Sequence, residues 1–146
     1  MISKKIDHIG IAVHNLKKAC ETYKALGLKV SKIEAVSDMN VNVAFLPVGD
    51  TRFELLEPLH KDSVISKFLE KKGEGVHHIC LEVEDIEAAS KELMQSGFQV
   101  LYPKAKKGAE GAWVNFLHPK STHGILIEIC CKHISPRGHE VAEKVS

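Results

Sequence analysis

Asp7-His8-Ile9-Gly10-Ile11-Ala12-Val13 returns seventy positions later as His77-His78-Ile79-Cys80-Leu81-Glu82-Val83, and the echo runs well beyond these two strands. At the same offset Asn15-Leu16 matches Asp85-Ile86, Ala19 matches Ala89, Gly27 matches Gly97 and Val30 matches Val100. Small insertions then shift the offset, so that Ala44-Phe45-Leu46 matches Asn115-Phe116-Leu117 and Phe53-Glu54 matches Ile127-Glu128. The chain is a duplicated module. It carries one histidine on each first strand, His8 and His78, and one carboxylate on each last strand, Glu54 and Glu128. Two imidazoles and two carboxylates have the composition of a metal site.

Each half reads as a strand, a helix and three further strands, which makes the fold class α+β with two tandem βαβββ modules. In residues 6–13, Ile9, Ile11 and Val13 share one face and form the expected core stripe, leaving His8, Gly10 and Ala12 on the other. Asn15 is an N-cap for a helix over about 16–26 that stops at Gly27. Strands are expected near 28–35, 41–47 and 52–57, with Gly49-Asp50-Thr51 turning a hairpin between the last two. The second half repeats the plan: a strand at 76–83, a helix from the Asp85 cap to Gly97, and strands near 98–102, 112–117 and 124–130. Residues 1–146 are read as one domain. Module one covers about 5–58, a linker with a short helical segment 59–75, module two about 76–131, and a polar, peripheral tail 132–146.

At 146 residues and 44% hydrophobic content, the chain can bury about 70% of its unfolded surface in a real core. A net charge of +1, with Lys and Glu interspersed, provides no basic stripe for phosphate backbones, so nucleic acid is not an expected partner. No apolar run approaches the ~20 residues that span a bilayer. Met1-Ile2-Ser3-Lys4-Lys5 leads into a strand and not into an apolar leader, so a cytoplasmic location is expected. Cys20, Cys80, Cys130 and Cys131 lack zinc-type spacing and read as ordinary reduced thiols.

Four segments together resemble the vicinal oxygen chelate superfamily, and within it the methylmalonyl-CoA epimerase family. They are Asp7 to Val13, Glu54-Leu55-Leu56-Glu57-Pro58-Leu59, Gly73-Glu74-Gly75-Val76-His77-His78-Ile79, and Phe116-Leu117-His118-Pro119-Lys120-Ser121-Thr122 followed by Gly124 to Glu128. The resemblance covers residues 6 to about 131. It implies curved, mostly antiparallel sheets around a divalent metal, with the first and last strands of each module side by side. His8, Glu54, His78 and Glu128 are then the metal ligands. Alternation points the same way for Glu128, which shares a face with Leu126 and Cys130 opposite Ile125, Ile127 and Ile129. A charged Glu in so apolar a strand has to be paired or metal-bound to offset its desolvation. Such a ligand set suits a first-row dication such as cobalt, manganese, nickel or zinc, with two positions open for a dioxygen chelate.

The implied reaction is a 1,1-proton transfer through an enolate, interconverting the (2R) and (2S) epimers of an acyl-CoA thioester. It needs a base on one face of the α-carbon and an acid on the other. The resemblance gives one role to Glu128 and the other to a Glu on the loop entering the third strand, where this chain has Asp38, one methylene shorter. Lys120 and Ser121 are candidate contacts for the phosphate-bearing part of CoA. His77 points away from its neighbour's face and is expected to pack or to hydrogen-bond behind the site. His118 shapes a turn, while His14, His60, His123, His133 and His139 read as loop or surface residues.

Three rival functions are open to such a sequence. A lactoylglutathione lyase uses the same chemistry on a glutathione substrate, and a non-catalytic small-molecule binding or resistance protein does not need four metal ligands. An extradiol dioxygenase uses a two-His-one-carboxylate iron site instead of the symmetric set. The four segments and the complete ligand set favour the epimerase, with a homodimer as its expected assembly.

Overall fold

Strand β1 (Ser3–Ala12) has two covered faces, because a parallel neighbour brings a helix to one side and polar side chains to the other. The computed structural model describes Met1 and residues 3–132. The expected polar tail, apart from Lys132, lies outside the described residues, as do His133 and His139. Two compact units are formed, Asp7–Ile79 and Met1–Ile6 with Cys80–Ser146.

In the unit Asp7–Ile79, helix α1 (Leu16–Ala25) is capped by Asn15, whose side-chain oxygen accepts the Lys18 N–H at 3.0 Å. Gly27 ends it with φ +94°, a conformation that costs other residues a clash. Strands β2 (Lys32–Val36), β3 (Val41–Val48) and β4 (Thr51–Pro58) run antiparallel in turn, and β4 pairs parallel with β1. Helix α2 (Val64–Lys72), the helical part of the linker, is capped by Ser63. Alternation divides the sheet residues cleanly. Val13, Ala44, Leu46 and Leu55 pack with Leu16 and Cys20 of the α1 side, joined by Ile11 and Phe53. The opposite face takes His8, Gly10, Arg52 and Glu54, since the register sets His8 beside Arg52, and Gly10 beside Glu54, which also faces Phe45.

The stripe of Ile9, Ile11 and Val13 expected on β1 is present, with Val13 in the core and Ile11 packed against it, but it is not the more buried side of the strand. Ile9 and Ile11 are half-buried, whereas His8, Gly10 and Ala12 are fully buried. Both sides of the strand are interior, and a period of two cannot rank them.

The other unit contains the end of β5 (Gly75–Val83), α3 (Ile86–Gln95), β6 (Lys106–Lys107), β7 (Trp113–Leu117) and β8 (Ile127–Cys131). Asp85 caps α3 as Asn15 caps α1, accepting the Ala88 N–H at 3.1 Å. Val83, Ile86, Ala89, Leu93, Leu117, Ile129 and Cys131 form its core. β6, β7 and β8 are antiparallel, and Glu128 pairs with Phe116 across β7 and β8.

Two strands depart from expectation. Residues 98–102 make only an isolated bridge, Val100 with Leu117, and the pairing strand is Lys106–Lys107. Asn115, fully buried, explains this: its side chain accepts the Tyr102 N–H and donates to the Tyr102 carbonyl, both at 3.1 Å, so a side chain replaces the ladder just before Pro103. β8 starts at Ile127 and not near 124, because His123 and Gly124 adopt positive φ and Thr122 bonds the Ile125 carbonyl, extending the turn. All four cysteines are buried thiols, and Cys131 packs in the core beneath α3.

Candidate metal centre

The register of β1 against β4 gathers the polar face of the unit Asp7–Ile79. His8, Glu54, His78 and Asp7 are each buried to 6% exposure or less. Gly10 makes room for this. A Cβ there would stand 2.6 Å from Nδ1 and 2.8 Å from Nε2 of His78, so the imidazole lies flat on bare backbone.

Each imidazole is held from behind by the residue preceding it. His8 Nδ1 is 2.7 Å from Asp7 Oδ2 and 3.2 Å from Glu54 Oε2, so its Nδ1–H donates to carboxylate and its Nε2 presents a lone pair. His78 Nδ1 is 2.9 Å from Nδ1 of His77, whose ring also meets Phe68 edge-on with centroids 4.9 Å apart. His77 thus packs and bonds behind its neighbour, as expected. The opposite ring edges converge: Nε2 of His8 and Nε2 of His78 are 3.1 Å apart, in rings at 88° to one another.

That spacing fits an N–H···N bond, and it equally fits two lone pairs on one ion. Two cis nitrogens, each about 2.1 Å from an octahedral dication, stand about 3.0 Å apart. Asp7, His8 and Glu54 form a cluster of ligating atoms able to hold a cation, with both carboxylates close to Nδ1 of His8.

Arg52 belongs to the same cluster. Its Nε and Nη2 donate to Glu54 Oε2 at 2.9 and 2.8 Å, Nη2 lies 3.8 Å from Asp7 Oδ2, and the guanidinium sits 4.7 Å from the Phe45 ring centroid. Asp7 and Arg52 were missed in the sequence. Strand alternation sends Asp7 away from His8, and only the β1–β4 register, which sequence does not display, places Arg52 beside His8. The available signal for Arg52 was its i, i+2 spacing to Glu54 on one strand face.

In the other unit Glu128 is buried on the face of β8 opposite the α3 core, with Phe116 as its cross-strand neighbour. The Tyr102 ring meets Phe116 edge-on at 5.9 Å, and Lys106 Nζ lies 4.3 Å from the Tyr102 ring centroid. Burial raises the Tyr102 phenol above its ordinary value, and the charge of Glu128 raises it further.

Asp38 stands apart from the imidazole cluster. Asp38 is exposed on the 3-10 turn Ser37–Met39, at the Val41–Pro58 end of the sheet. Four residue steps along the strand separate Pro58 from Glu54, about 13 Å along the sheet. Lys120 is exposed on the turn after β7, and Ser121 Oγ accepts the Gln99 N–H at 3.0 Å. His118 Nδ1 accepts the Lys120 N–H at 3.0 Å, giving it the turn-shaping role expected. His14, His60 and His123 are exposed.

Comparison with known proteins places these features in a family context. Residues 7–116 match the model of the Glyoxalase/Bleomycin resistance protein/Dioxygenase superfamily. A curated relative, the mitochondrial methylmalonyl-CoA epimerase of Homo sapiens, is 43% identical over 127 residues, covering 86% of this chain and 72% of the relative. The ethylmalonyl-CoA/methylmalonyl-CoA epimerase of Cereibacter sphaeroides is 43% identical over 128 residues, covering 86% of this chain and 96% of that protein. Among solved structures, a variant of Streptomyces coelicolor methylmalonyl-CoA epimerase in complex with 2-nitronate-propionyl-CoA superposes with a TM-score of 0.85 at 38% identity, covering 89% of this chain and 98% of that one.

Proposed function

We propose, from the premise that this chain belongs to the Glyoxalase/Bleomycin resistance protein/Dioxygenase superfamily, that it is an epimerase interconverting (2R)- and (2S)-methylmalonyl-CoA by 1,1-proton transfer. The observation that carries the reading is the pair of buried imidazoles with Nε2 atoms 3.1 Å apart, in a chain so similar to epimerases of this substrate.

His8, Glu54, His78 and Glu128 are the residues we assign to hold one divalent ion, with cobalt, manganese, nickel or zinc all compatible with the donors. When bound, such an ion supplies Lewis acidity that stabilises the negative charge of an enolate. Asp7 and His77 orient the two imidazoles and keep each Nε2 aimed forward. Glu128 is the proton carrier we assign to one face of the α-carbon. It is buried on β8 with Phe116 as its cross-strand neighbour. Asp38 is assigned the opposite face. Lys120 offers an exposed ammonium for CoA phosphate. Ser121, whose oxygen accepts from Gln99, keeps its own O–H to donate. We carry forward from the sequence one domain over 1–146, a cytoplasmic location and a homodimer. No helix among the described residues is long and apolar enough to cross a membrane.

The test is exchange of the α-proton of (2R)-methylmalonyl-CoA in deuterated water, followed by NMR on the ion-loaded protein. Exchange with loss of configuration at C2 is expected. Turnover of the glutathione hemithioacetal of methylglyoxal, with none of methylmalonyl-CoA, would make the protein a lactoylglutathione lyase instead.

A further inference from the structure

We infer that Arg52 sets how tightly the centre holds its ion, by competing for the carboxylate of Glu54; this rests on the metal reading above. Both guanidinium donors fall on one oxygen, Oε2. That oxygen faces Nδ1 of His8 at 3.2 Å, while the two imidazoles converge through their Nε2 atoms on the other ring edge. The pairing therefore turns Oε2 away from the point where the lone pairs meet. A dication at that point either takes the other oxygen of Glu54, whose negative charge Arg52 partly neutralises, or rotates the carboxylate and breaks the Arg52 bonds.

Charge acts in the same direction. Asp7 and Glu54 are buried carboxylates, and Arg52 is the cation that the structure places against both. A guanidinium bonded twice to carboxylate is a strong, oriented pair, and at low exposure its field is little screened. It is also fixed in place, packed on the ring of Phe45 with only 17% of its side chain exposed. A rim cation on a flexible stem would yield to the ion at little cost. Arg52 is thus a positioning residue acting through Glu54, and its presence keeps the ion exchangeable.

The experiment measures Co2+ affinity of the full chain by competition with a chromophoric chelator, for the parent and for R52Q, R52K, E54Q and R52Q/E54Q. R52Q is expected to bind Co2+ at least about tenfold more tightly than the parent, which corresponds to about 1.4 kcal/mol. R52K, which keeps the charge but loses the forked donor pair, should fall between them. In the E54Q background the R52Q change should shift affinity by less than about threefold, because the competed carboxylate is gone. R52Q/E54Q removes one charge of each sign, so it guards against misfolding from a lone buried carboxylate, and R52K guards against the loss of R52Q. Unchanged or weaker binding in R52Q and R52K overturns the inference, and so does an equal gain in both backgrounds. A parent chain that takes up no Co2+ would instead overturn the metal reading itself.

Discussion

Glu54 and Glu128 occupy equivalent positions in the two modules, each buried on a last strand opposite its helix-facing core and across from a phenylalanine, yet the residue two places before it is Arg52 in one and Leu126 in the other. Glu54 is bonded twice by a guanidinium and shares Nδ1–H of His8 with Asp7. Glu128 lies beside Phe116 and close enough to the Tyr102 phenol to raise its pKa. Duplication preserved the carboxylate and its strand face, while divergence of the neighbours separated the chemistry. A carboxylate bonded twice by Arg through one oxygen is anchored in orientation, whereas Glu128 is the carboxylate we assign to take and return a proton.

The comparison is easiest to break with the isosteric pair E54Q and E128Q. Turnover of methylmalonyl-CoA should fall on the order of 10²–10⁴-fold in E128Q, which loses the base. In E54Q, where the amide oxygen can still ligate, it should fall less than about 10²-fold. Equal losses would mean that the two carboxylates share one role. Next in size is D38N, expected to slow turnover by about 10²-fold without changing ion content, at the low end for a lost proton carrier because the side chain is exposed. A parent rate in D38N would make Asp38 a turn residue.

Gly10 tests the packing under the imidazoles. G10A should destabilise the fold by about 1–3 kcal/mol through overpacking against His78, read from thermal or urea melts, and should lower ion content as the ring is displaced. The smallest effect concerns Tyr102. Its pKa is raised in the folded state, so its contribution to stability is complete below the ordinary value of 10 and is lost as pH climbs through the higher folded value. Ultraviolet titration should show one tyrosine ionising late, absent in Y102F and shifted back toward 10 in E128Q. A Tyr102 that titrates identically in E128Q would remove Glu128 from its neighbourhood.

Much of this was legible in the chain itself. The seventy-residue echo yielded both modules, both helices with their Asn15 and Asp85 caps, and the two His and two Glu, because caps and alternation are local signals. What stayed hidden depends on register and on side chains standing in for backbone. The pairing of His8 with Arg52 is set by how β1 slides along β4, and no periodicity encodes that slide. The strand expected at 98–102 gave way to the side chain of buried Asn115, a polar residue whose partners cannot be read from spacing. Asp38 was placed correctly on a turn, but the along-sheet separation of that turn from Glu54 emerges only from the pairing of Val41 with Pro58.

The central claim is that the converging imidazoles hold a metal ion, and the most direct measurement is ion content per chain by elemental analysis after dialysis. The parent and H14A, which alters an exposed histidine, should retain about one divalent ion, and H8A and H78A should each lose most of it, at least about tenfold in affinity. Equal ion content in all four proteins would contradict the account.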